Sequence, residues 1–284
     1  MITSSSNQQI KRIQQLQKTS KARHKQKAFV VEGPRMAFEA PREWVERIYV
    51  SESFQAEQRW QEQLAGAAHE EVSDSVLKSI SDTQTPQGIL AVVRMPEYSL
   101  EELLVSRHPC GQKDGEARQA EEAAVQRQKP GQKPAAAPLL LVLDTVQDPG
   151  NLGTMLRTGE GAGISGVLMN RTTADLFSPK VIRSTMGSIY RVPFVITEDL
   201  PGDIRRLKQQ GIRFYAAHLA GRQSYDEVDY SGGSAFMIGN EGNGLSDEIA
   251  ELADTRIRIP MAGQVESLNA AMAAGLLMYE AARR

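Results

Sequence analysis

A Pro-Gly turn in the middle of the chain precedes two polar side chains that could take part in chemistry. Residues 148–153 read Asp-Pro-Gly-Asn-Leu-Gly and lie between an apolar run and a segment with helical periodicity. Pro and Gly force a sharp turn there, at the edge of the sheet where open α/β folds bind ligands. Asn151 can cap the new helix, which would by itself explain its presence. Arg157 follows among small and apolar neighbours, although a single helical arginine is often only a solvated charge.

A second glycine-rich loop follows a predicted strand. Residues 239–246 read Gly-Asn-Glu-Gly-Asn-Gly-Leu-Ser. The glycines let the backbone approach a ligand closely, and Glu241 offers an acceptor for a ligand or a partner for a cation. A flexible connection between a strand and a helix would explain the segment equally well.

A third loop, at residues 259–270, joins the last predicted strand to an apolar helix. It reads Ile-Pro-Met-Ala-Gly-Gln-Val-Glu-Ser-Leu-Asn-Ala. Ser267 and Asn269 are its polar candidates, although both could be no more than residues that start a helix. The helix at 270–280 is apolar almost all round, so it should pack against a surface on each side. Part of that surface could belong to a second subunit.

The three loops each follow the carboxyl end of a predicted strand, so they should converge on one edge of a parallel sheet and form a ligand site. None of the four histidines lies in these loops, and no Cys/His set has the spacing of metal ligands. The phosphate-binding sequence G-x-x-x-x-G-K-[ST] and a nucleophile elbow are also absent. A metal hydrolase, a kinase and a serine hydrolase are therefore disfavoured, and no metal is expected.

The segment from Gly161 to Gly166 matches the dinucleotide fingerprint G-x-G-x-x-G in letters but not in context. That fingerprint needs a strand before it and a helix after it, so that backbone amides can hold a pyrophosphate. Here the predicted helix comes first and the strand follows. These glycines are therefore predicted to end a helix and form a tight turn.

The periodicity predicts two α/β domains joined by a linker. Residues 1–97 form a small α/β unit, residues 98–138 a flexible linker with few apolar residues, and residues 139–284 a parallel-sheet domain. In the first unit, strands are predicted at 28–31, 48–50 and 88–93, and helices at 7–18, 34–40, 54–65 and 73–80. In the second, strands are predicted at 139–143, 166–169, 192–196, 214–217, 235–238 and 257–259.

Composition and charge indicate a cytoplasmic protein that could meet nucleic acid. Hydrophobic residues make up 40% of the chain and charged residues 24%, values typical of soluble proteins. No apolar run is long enough for a membrane span, no apolar segment follows the polar start, and one cysteine cannot form an internal disulfide. The net charge of −2 conceals a local field, since seven Lys and Arg residues lie before the first acidic residue, Glu32.

Taken together, the three loops resemble the three motifs of the SpoU (TrmH-like) family of RNA 2′-O-ribose methyltransferases, in the SPOUT superfamily. The resemblance covers residues 139–284. Residues 1–97 resemble, more loosely, the L30e-like substrate-binding domain that precedes many of these enzymes. The basic start and the segment Phe29-Val-Val-Glu-Gly33 carry that second resemblance.

The resemblance implies a fold and a cofactor that spacing alone does not give. Its fold is an α/β sheet with a deep trefoil knot, which holds S-adenosyl-L-methionine mainly through backbone groups of the second and third loops. Carried over, the cofactor positions are Gly239, Ile259, Met261 and Leu268. Family members are homodimers whose active site forms where the helix of the first loop meets the knot of the partner subunit.

The family's catalytic positions fall on Asn151, Arg157, Glu241, Ser267 and Asn269. We expect Arg157 to grip a phosphate and stabilise the developing alkoxide, because a guanidinium stays protonated at neutral pH. Glu241 would anchor either Arg157 or the knot loops, and the other three side chains would orient the nucleotide.

The expected function is S-adenosylmethionine-dependent 2′-O-methylation of a ribose in structured RNA, with ribosomal RNA favoured because of the separate N-terminal domain. Two alternatives stay open. The same reaction could act on transfer RNA, or the chain could be a catalytically silent RNA-binding protein on the same fold.

Overall fold

The computed structural model of the protein describes residues 1–105 and 137–283, which form two α/β units. Most of the predicted linker, with Cys110, lies outside the described residues. The domain boundaries themselves stay predictions.

The N-terminal unit is a four-stranded sheet with helices on its faces. Its strands lie in the order β1-β4-β2-β3 and are β1 (Ala28–Glu32), β2 (Val45–Ser51), β3 (His69–Val72) and β4 (Ile89–Arg94). Because β4 is antiparallel to both β1 and β2, and β3 is parallel to β2, the strands β1, β2 and β3 end at the same edge. The helices are α1 (Gln8–Lys18), α2 (Ser20–Gln26), α3 (Pro34–Glu39), α4 (Glu52–Gln55), α5 (Gln61–Ala65) and α6 (Asp74–Ser79).

Two features of this unit differ from the sequence-based expectation. β3, which reads His-Glu-Glu-Val, was missed because it is a half-buried edge strand without apolar alternation. The helix predicted at 54–65 is divided into α4, a 3-10 turn at Gln58–Trp60, and α5. Phe54 and Trp60 stack on each other across this break. Residues six apart lie on different faces of a continuous helix, so the stacking requires the interruption.

The basic N-terminal segment does not present all seven of its cations to solvent. Lys11, Lys18, Lys21 and Lys25 are exposed. Arg23 is only 4% exposed and donates hydrogen bonds to the carbonyl of Leu16, at 2.6 Å, and to a carboxylate of the C-terminal unit. Arg23 is therefore not available to a partner from solvent, because burial and internal hydrogen bonds occupy its guanidinium.

The C-terminal unit is a seven-stranded sheet in which every described strand pair is parallel. In the order β7-β6-β5-β10-β8-β11-β9, its strands are β5 (Leu139–Leu143), β6 (Gly166–Asn170), β7 (Phe194–Thr197), β8 (Arg213–Ala217), β9 (Gln223–Ser224), β10 (Ser234–Ile238) and β11 (Thr255–Arg258). All six predicted strands are present. The additional β9 pairs only with β11. It has two residues, which are too few to show the alternation that predicts a strand.

Five helices cover this sheet: α7 (Pro149–Ala162), α8 (Pro179–Thr185), α9 (Leu200–Gln209), α10 (Asp247–Glu251) and α11 (Ala270–Ala282). The cap of α7 is Asp148, whose carboxylate accepts a hydrogen bond of 2.8 Å from the amide of Asn151. Asn151 therefore does not cap the helix, and its side chain is free for another role. Gly163, with a φ of 77°, ends α7, as predicted for the glycines that match the dinucleotide fingerprint.

The two units share a continuous apolar core. The rings of Phe29 and Phe177 lie 5.0 Å apart, and the Tyr190 hydroxyl donates a hydrogen bond of 2.8 Å to the carbonyl of Met36. Leu103, within the segment predicted as linker, is fully buried against β6. The structure therefore fixes the placement of the N-terminal unit on α8 and its neighbours.

The predicted fold class is confirmed as a parallel-sheet α/β domain with a small N-terminal α/β domain. The trefoil knot stays a prediction, since strand order alone does not establish it. Across residues 1–105 and 137–283, no helix combines the length and apolar character needed to cross a membrane.

Candidate active site

The three polar loops meet at one edge of the C-terminal sheet, where β5, β10 and β11 end. The first loop follows β5, the second follows the adjacent parallel strand β10, and the third follows β11. Side chains from different loops form hydrogen bonds with one another. Convergence on one edge is the arrangement that the parallel sheet predicts.

A chain of hydrogen bonds joins one side chain from each loop. The Asn269 amide donates from Nδ2 to Oδ1 of Asn151 at 2.9 Å, and Nδ2 of Asn151 donates to Oε1 of Glu241 at 2.9 Å. Asn269 also caps α11, since its Oδ1 accepts from the amide of Ala271 at 2.9 Å. The amide oxygen of Asn269 therefore faces the helix and its amide nitrogen faces Asn151. The start of α11 thus fixes the orientation of this chain of hydrogen bonds.

Glu241 is the centre of this arrangement. Its two oxygens accept hydrogen bonds of 3.0 Å from the amides of Gln147 and Asp148, in addition to the bond from Asn151. Burial raises the pKa of Glu241, but these hydrogen bonds to the carboxylate outweigh it and hold the pKa below its usual value. Two roles were expected for Glu241, to anchor Arg157 or to anchor the loops. In this structure Glu241 anchors the loops.

The second loop is also ordered from within. The Asn240 side chain accepts from the amides of Gly242 and Asn243, at 2.9 and 3.1 Å, and donates to the carbonyl of Thr145 at 3.0 Å. A Cβ on Gly239 would lie 2.1 Å from the backbone carbon of Gly244, so only glycine fits there. These contacts give the second loop a defined conformation.

Asp144 is a structural residue of the site that the sequence analysis missed. It is 5% exposed, directly after β5, and accepts hydrogen bonds from the amide and hydroxyl of Ser246, at 2.9 and 2.7 Å, and from Nδ2 of Asn170 at 2.8 Å. It ties the end of the second loop to β5. A carboxylate immediately after a fully apolar strand is the signal that could have identified it.

Two of the predicted catalytic side chains stand apart from this cluster. Arg157 is exposed on α7 and has no hydrogen bond or ion pair within the described residues. Ser267 is likewise exposed, and no partner for its side chain is found in the part of the chain that the structure describes. Both are available to groups from outside the protomer, but neither contacts Glu241 within it.

The second and third loops suit a cofactor with a flat aromatic ring and no phosphate groups. Ile259, Met261 and Leu268 are half-buried, while the third-loop residues at 262–267 are exposed. Neither loop contains Lys or Arg, so a polyphosphate would find no cation there. Apolar side chains and peptide groups fit the adenine, ribose and sulfonium of S-adenosylmethionine. No group of candidate metal ligands occurs among the described residues.

An apolar stripe on α11 is open to solvent beside this site. Met272 is 61% exposed, Leu276 39% and Tyr279 53%, and their spacing places them on one face of the helix. A Cβ on Gly161 would lie 2.8 Å from the Tyr279 hydroxyl, so the stripe adjoins α7 one turn after Arg157. The free cation and the free apolar surface are thus neighbours.

With its parallel-sheet domain and three motif loops, the chain belongs to the SpoU rRNA Methylase family, whose profile matches residues 138–279. Residues 7–91 match a second profile, the MRM3-like substrate binding domain. The family predicted from the three loops is confirmed.

Relatives match the chain from end to end. The 23S rRNA (guanosine(2553)-2′-O)-methyltransferase RlmP of Bacillus subtilis is 34% identical over 281 residues, which are 98% of this chain and 97% of the relative. A solved structure of an AdoMet-bound rRNA methyltransferase from Sinorhizobium meliloti is 31% identical, with a TM-score of 0.78 and coverage of 99% and 97%. The SpoU methyltransferase AviRb from Streptomyces viridochromogenes, in complex with AdoMet, is 25% identical with a TM-score of 0.79, covering 98% and 97%.

Proposed function

We propose that this protein transfers a methyl group from S-adenosylmethionine to a ribose 2′-hydroxyl of ribosomal RNA. The single observation that carries the proposal is the hydrogen-bonded chain Asn269–Asn151–Glu241, which joins the three family motifs into one polar site. The end-to-end match to a 23S rRNA 2′-O-methyltransferase supports ribosomal RNA as the substrate. Action on ribosomal RNA places the protein in the cytoplasm.

The backbone of the second and third loops would hold the cofactor, together with Gly239, Ile259, Met261 and Leu268. When bound, S-adenosylmethionine supplies a methyl group on a sulfonium, which is already a good leaving group. The protein therefore needs mainly to position the ribose hydroxyl and assist the loss of its proton. Asn151 and Asn269, held by Glu241, would orient the loops and the nucleotide, and Ser267 would contact the nucleotide from the third loop.

Arg157 would bind the phosphate next to the target ribose and stabilise negative charge that develops on the 2′-oxygen. Its guanidinium is exposed and unpaired within the described residues, as a group that meets a substrate should be. The adjoining apolar stripe of α11 supports a homodimer, in which Arg157 of one protomer would reach the loops of the other.

The test is a methyl-transfer assay with labelled S-adenosylmethionine and separate 23S, 16S and transfer RNA from cells that lack the protein. We expect label in one ribosomal RNA, in a dinucleotide that resists alkali because its 2′-oxygen is blocked. Label on a base would contradict the reaction. Label in transfer RNA alone would contradict the substrate, and binding without transfer would indicate the catalytically silent alternative.

A further inference from the structure

A second concave site lies in the N-terminal unit, outside the three motif loops. It is a cavity of about 620 Å³, within the ~300–1,000 Å³ typical of small-ligand pockets. It opens at the edge where β1, β2 and β3 end, and its lining includes Arg35, Phe54, Arg59, Trp60, Lys78 and Gly88. This edge of the sheet therefore carries an open, concave surface.

A three-layer stack forms part of the wall. The rings of Phe54 and Trp60 are 5.5 Å apart with an angle of 9° between their planes. The guanidinium carbon of Arg59 lies 4.8 Å from the Trp60 ring centroid. Phe54 is 2% exposed, whereas the Arg59 side chain is 70% exposed. The aromatic pair thus holds the Arg59 cation at the solvent side of the wall, and a guanidinium can stack on a nucleobase.

The backbone under this stack is shaped by a glycine. Gly88 has a φ of 79°, and a Cβ there would lie 2.7 Å from Cβ of Phe54 and 3.0 Å from Oγ of Ser51. A larger residue would push Phe54 out of the wall. The cavity and the stack are therefore parts of one structure.

Three cations and two carboxylates, Glu57 and Asp74, line the opening. Lys78 is exposed and has no ion-pair partner in the described ranges, while Arg35 and Arg59 pair with Glu39 and Glu57 at 2.9 and 2.6 Å. Exposed pairs of this kind contribute little, so a phosphate can replace the carboxylates at small cost. The pocket thus combines a planar stacking surface with three cations, which is the combination that binds a nucleotide of single-stranded RNA.

Polar contacts link the N-terminal unit to the methyltransferase unit. Glu32, at the end of β1, accepts a hydrogen bond of 3.0 Å from the amide of Asp82. The Asp82 carboxylate forms an ion pair with Arg183 on α8. Near the start of the same helix, Nζ of Lys180 lies 3.9 Å from Oδ2 of Asp148 in the first motif loop. The helix α8 thus contacts both the N-terminal unit and the first motif loop.

We propose that this pocket binds one unpaired nucleotide of the RNA substrate, with its base stacked on Arg59 and its phosphate held by Arg35 and Lys78. The proposal rests on the proposed function and names a specific substrate contact for it. An RNA that presents a splayed nucleotide at the right distance from the target ribose would be selected by the separation between this pocket and the motif loops.

The test compares the wild-type enzyme with the double variant Arg59→Ala, Lys78→Ala, using full-length ribosomal RNA. The expected result is an increase in the KM and Kd for RNA of about tenfold or more, the order expected for the loss of one stacked base. The kcat at saturating RNA and the Kd for S-adenosylmethionine should be unchanged. The matched control is Arg213→Ala, which removes an exposed cation at the start of β8, away from the motif loops. This control should leave all four constants unchanged.

Arg59→Lys separates stacking from charge. Lysine keeps the charge but lacks the plane, so this variant should bind RNA as weakly as Arg59→Ala. Full affinity for Arg59→Lys would overturn the stacking contact. A double variant with wild-type KM and Kd would overturn the pocket as a nucleotide site. Because RNA binding and methyl transfer are measured separately, an inactive wild-type enzyme would count against the proposed function and not against this site.

Discussion

At the scale of single residues, Glu241 acts through others: it receives the Asn151 side chain and two backbone amides and places them relative to Asn269. A carboxylate is suited to this position because every group that faces it is a donor. An amide in its place would turn one acceptor into a donor and oppose one of those N–H groups.

Glu241→Gln should therefore lower kcat/KM by about tenfold or more while the protein stays folded, since each unmade bond to a charged group costs about 1.5–3 kcal/mol. Glu251→Gln, at an exposed glutamate without a described partner, is the control.

The low pKa of Glu241 also sets the pH range of its effect. Because the folded-state pKa lies below the unfolded value, its contribution is full above the ordinary glutamate range and is lost as the pH falls through the folded pKa. Equal activity of Glu241→Gln and wild type at neutral pH would show that the loops hold without the carboxylate.

Arg157 differs from Glu241 in having no partner in the described structure, so its removal should disturb little besides the reaction. Arg157→Ala should reduce methyl transfer by about 10²–10³-fold or more and leave the affinity for S-adenosylmethionine nearly unchanged. Arg157→Lys should also be poor, because a point charge does not reproduce the two-pronged contact with phosphate. The measurement is single-turnover transfer together with calorimetry, with Arg205→Ala as the exposed-arginine control. Wild-type turnover in Arg157→Ala would place the reaction elsewhere.

At the scale of elements, α11 has two apolar faces with different environments. One face, with Ala274 and Leu277, is fully buried in the protomer, whereas Met272, Leu276 and Tyr279 remain exposed. An exposed apolar stripe of this kind is typical of an association surface. The short loop that begins α11 also carries Asn269, so packing on this helix would transmit directly to the site.

The protein should therefore have twice the mass of the 31.2 kDa chain in light scattering at low micromolar concentration. The double variant Met272→Glu, Leu276→Glu should shift it to the monomer, because burying two carboxylates without partners opposes association. Activity should fall with the dimer if Arg157 serves the partner's loops. A matched control is Glu251→Lys, which changes charge on another helix. A wild-type monomer with full activity would contradict both the dimer and the shared site.

At the scale of the whole molecule, the two units are joined by packing as well as by the chain. Phe29 packs on Phe177, and Tyr190 reaches the backbone of the N-terminal unit. Nearby, Arg23, 4% exposed, forms an ion pair of 2.5 Å with Asp175. A fragment that began at residue 139 would expose these aromatic rings, so surface substitutions are the better way to separate the functions of the two units.

Asp175→Asn should destabilise the protein by about 3–5 kcal/mol, because it leaves the Arg23 charge buried without its partner. Arg183→Ala, which breaks the exposed pair with Asp82, is the control and should cost about 0–1 kcal/mol.

Burial raises the pKa of Asp175, but the hydrogen bonds and charge of Arg23 outweigh it and lower the pKa overall. The stabilisation is thus present above the ordinary aspartate range and is lost as the pH falls through the folded pKa. Denaturant unfolding at several pH values checks both points, and an Asp175→Asn protein as stable as wild type would show that the pair is dispensable.

The class of fold and the residues of the three loops could be predicted from the sequence alone. Apolar runs bounded by turn signals predict strands well, because burial in a parallel sheet requires such runs, and the motif letters identify Asn151, Glu241 and Asn269. Only the tertiary structure decided what these residues do. Asn151 reads locally as a cap, yet Asp148 caps the helix and Asn151 bonds to residues about 90 and 118 positions away. Arg23 reads as one of several RNA-attracting cations, yet it is buried against Asp175, 152 positions along the chain. Local periodicity indicates only whether a side chain is buried or exposed. Hydrogen-bond partners that are distant in sequence depend on the strand order of the sheet and on the packing of the two units.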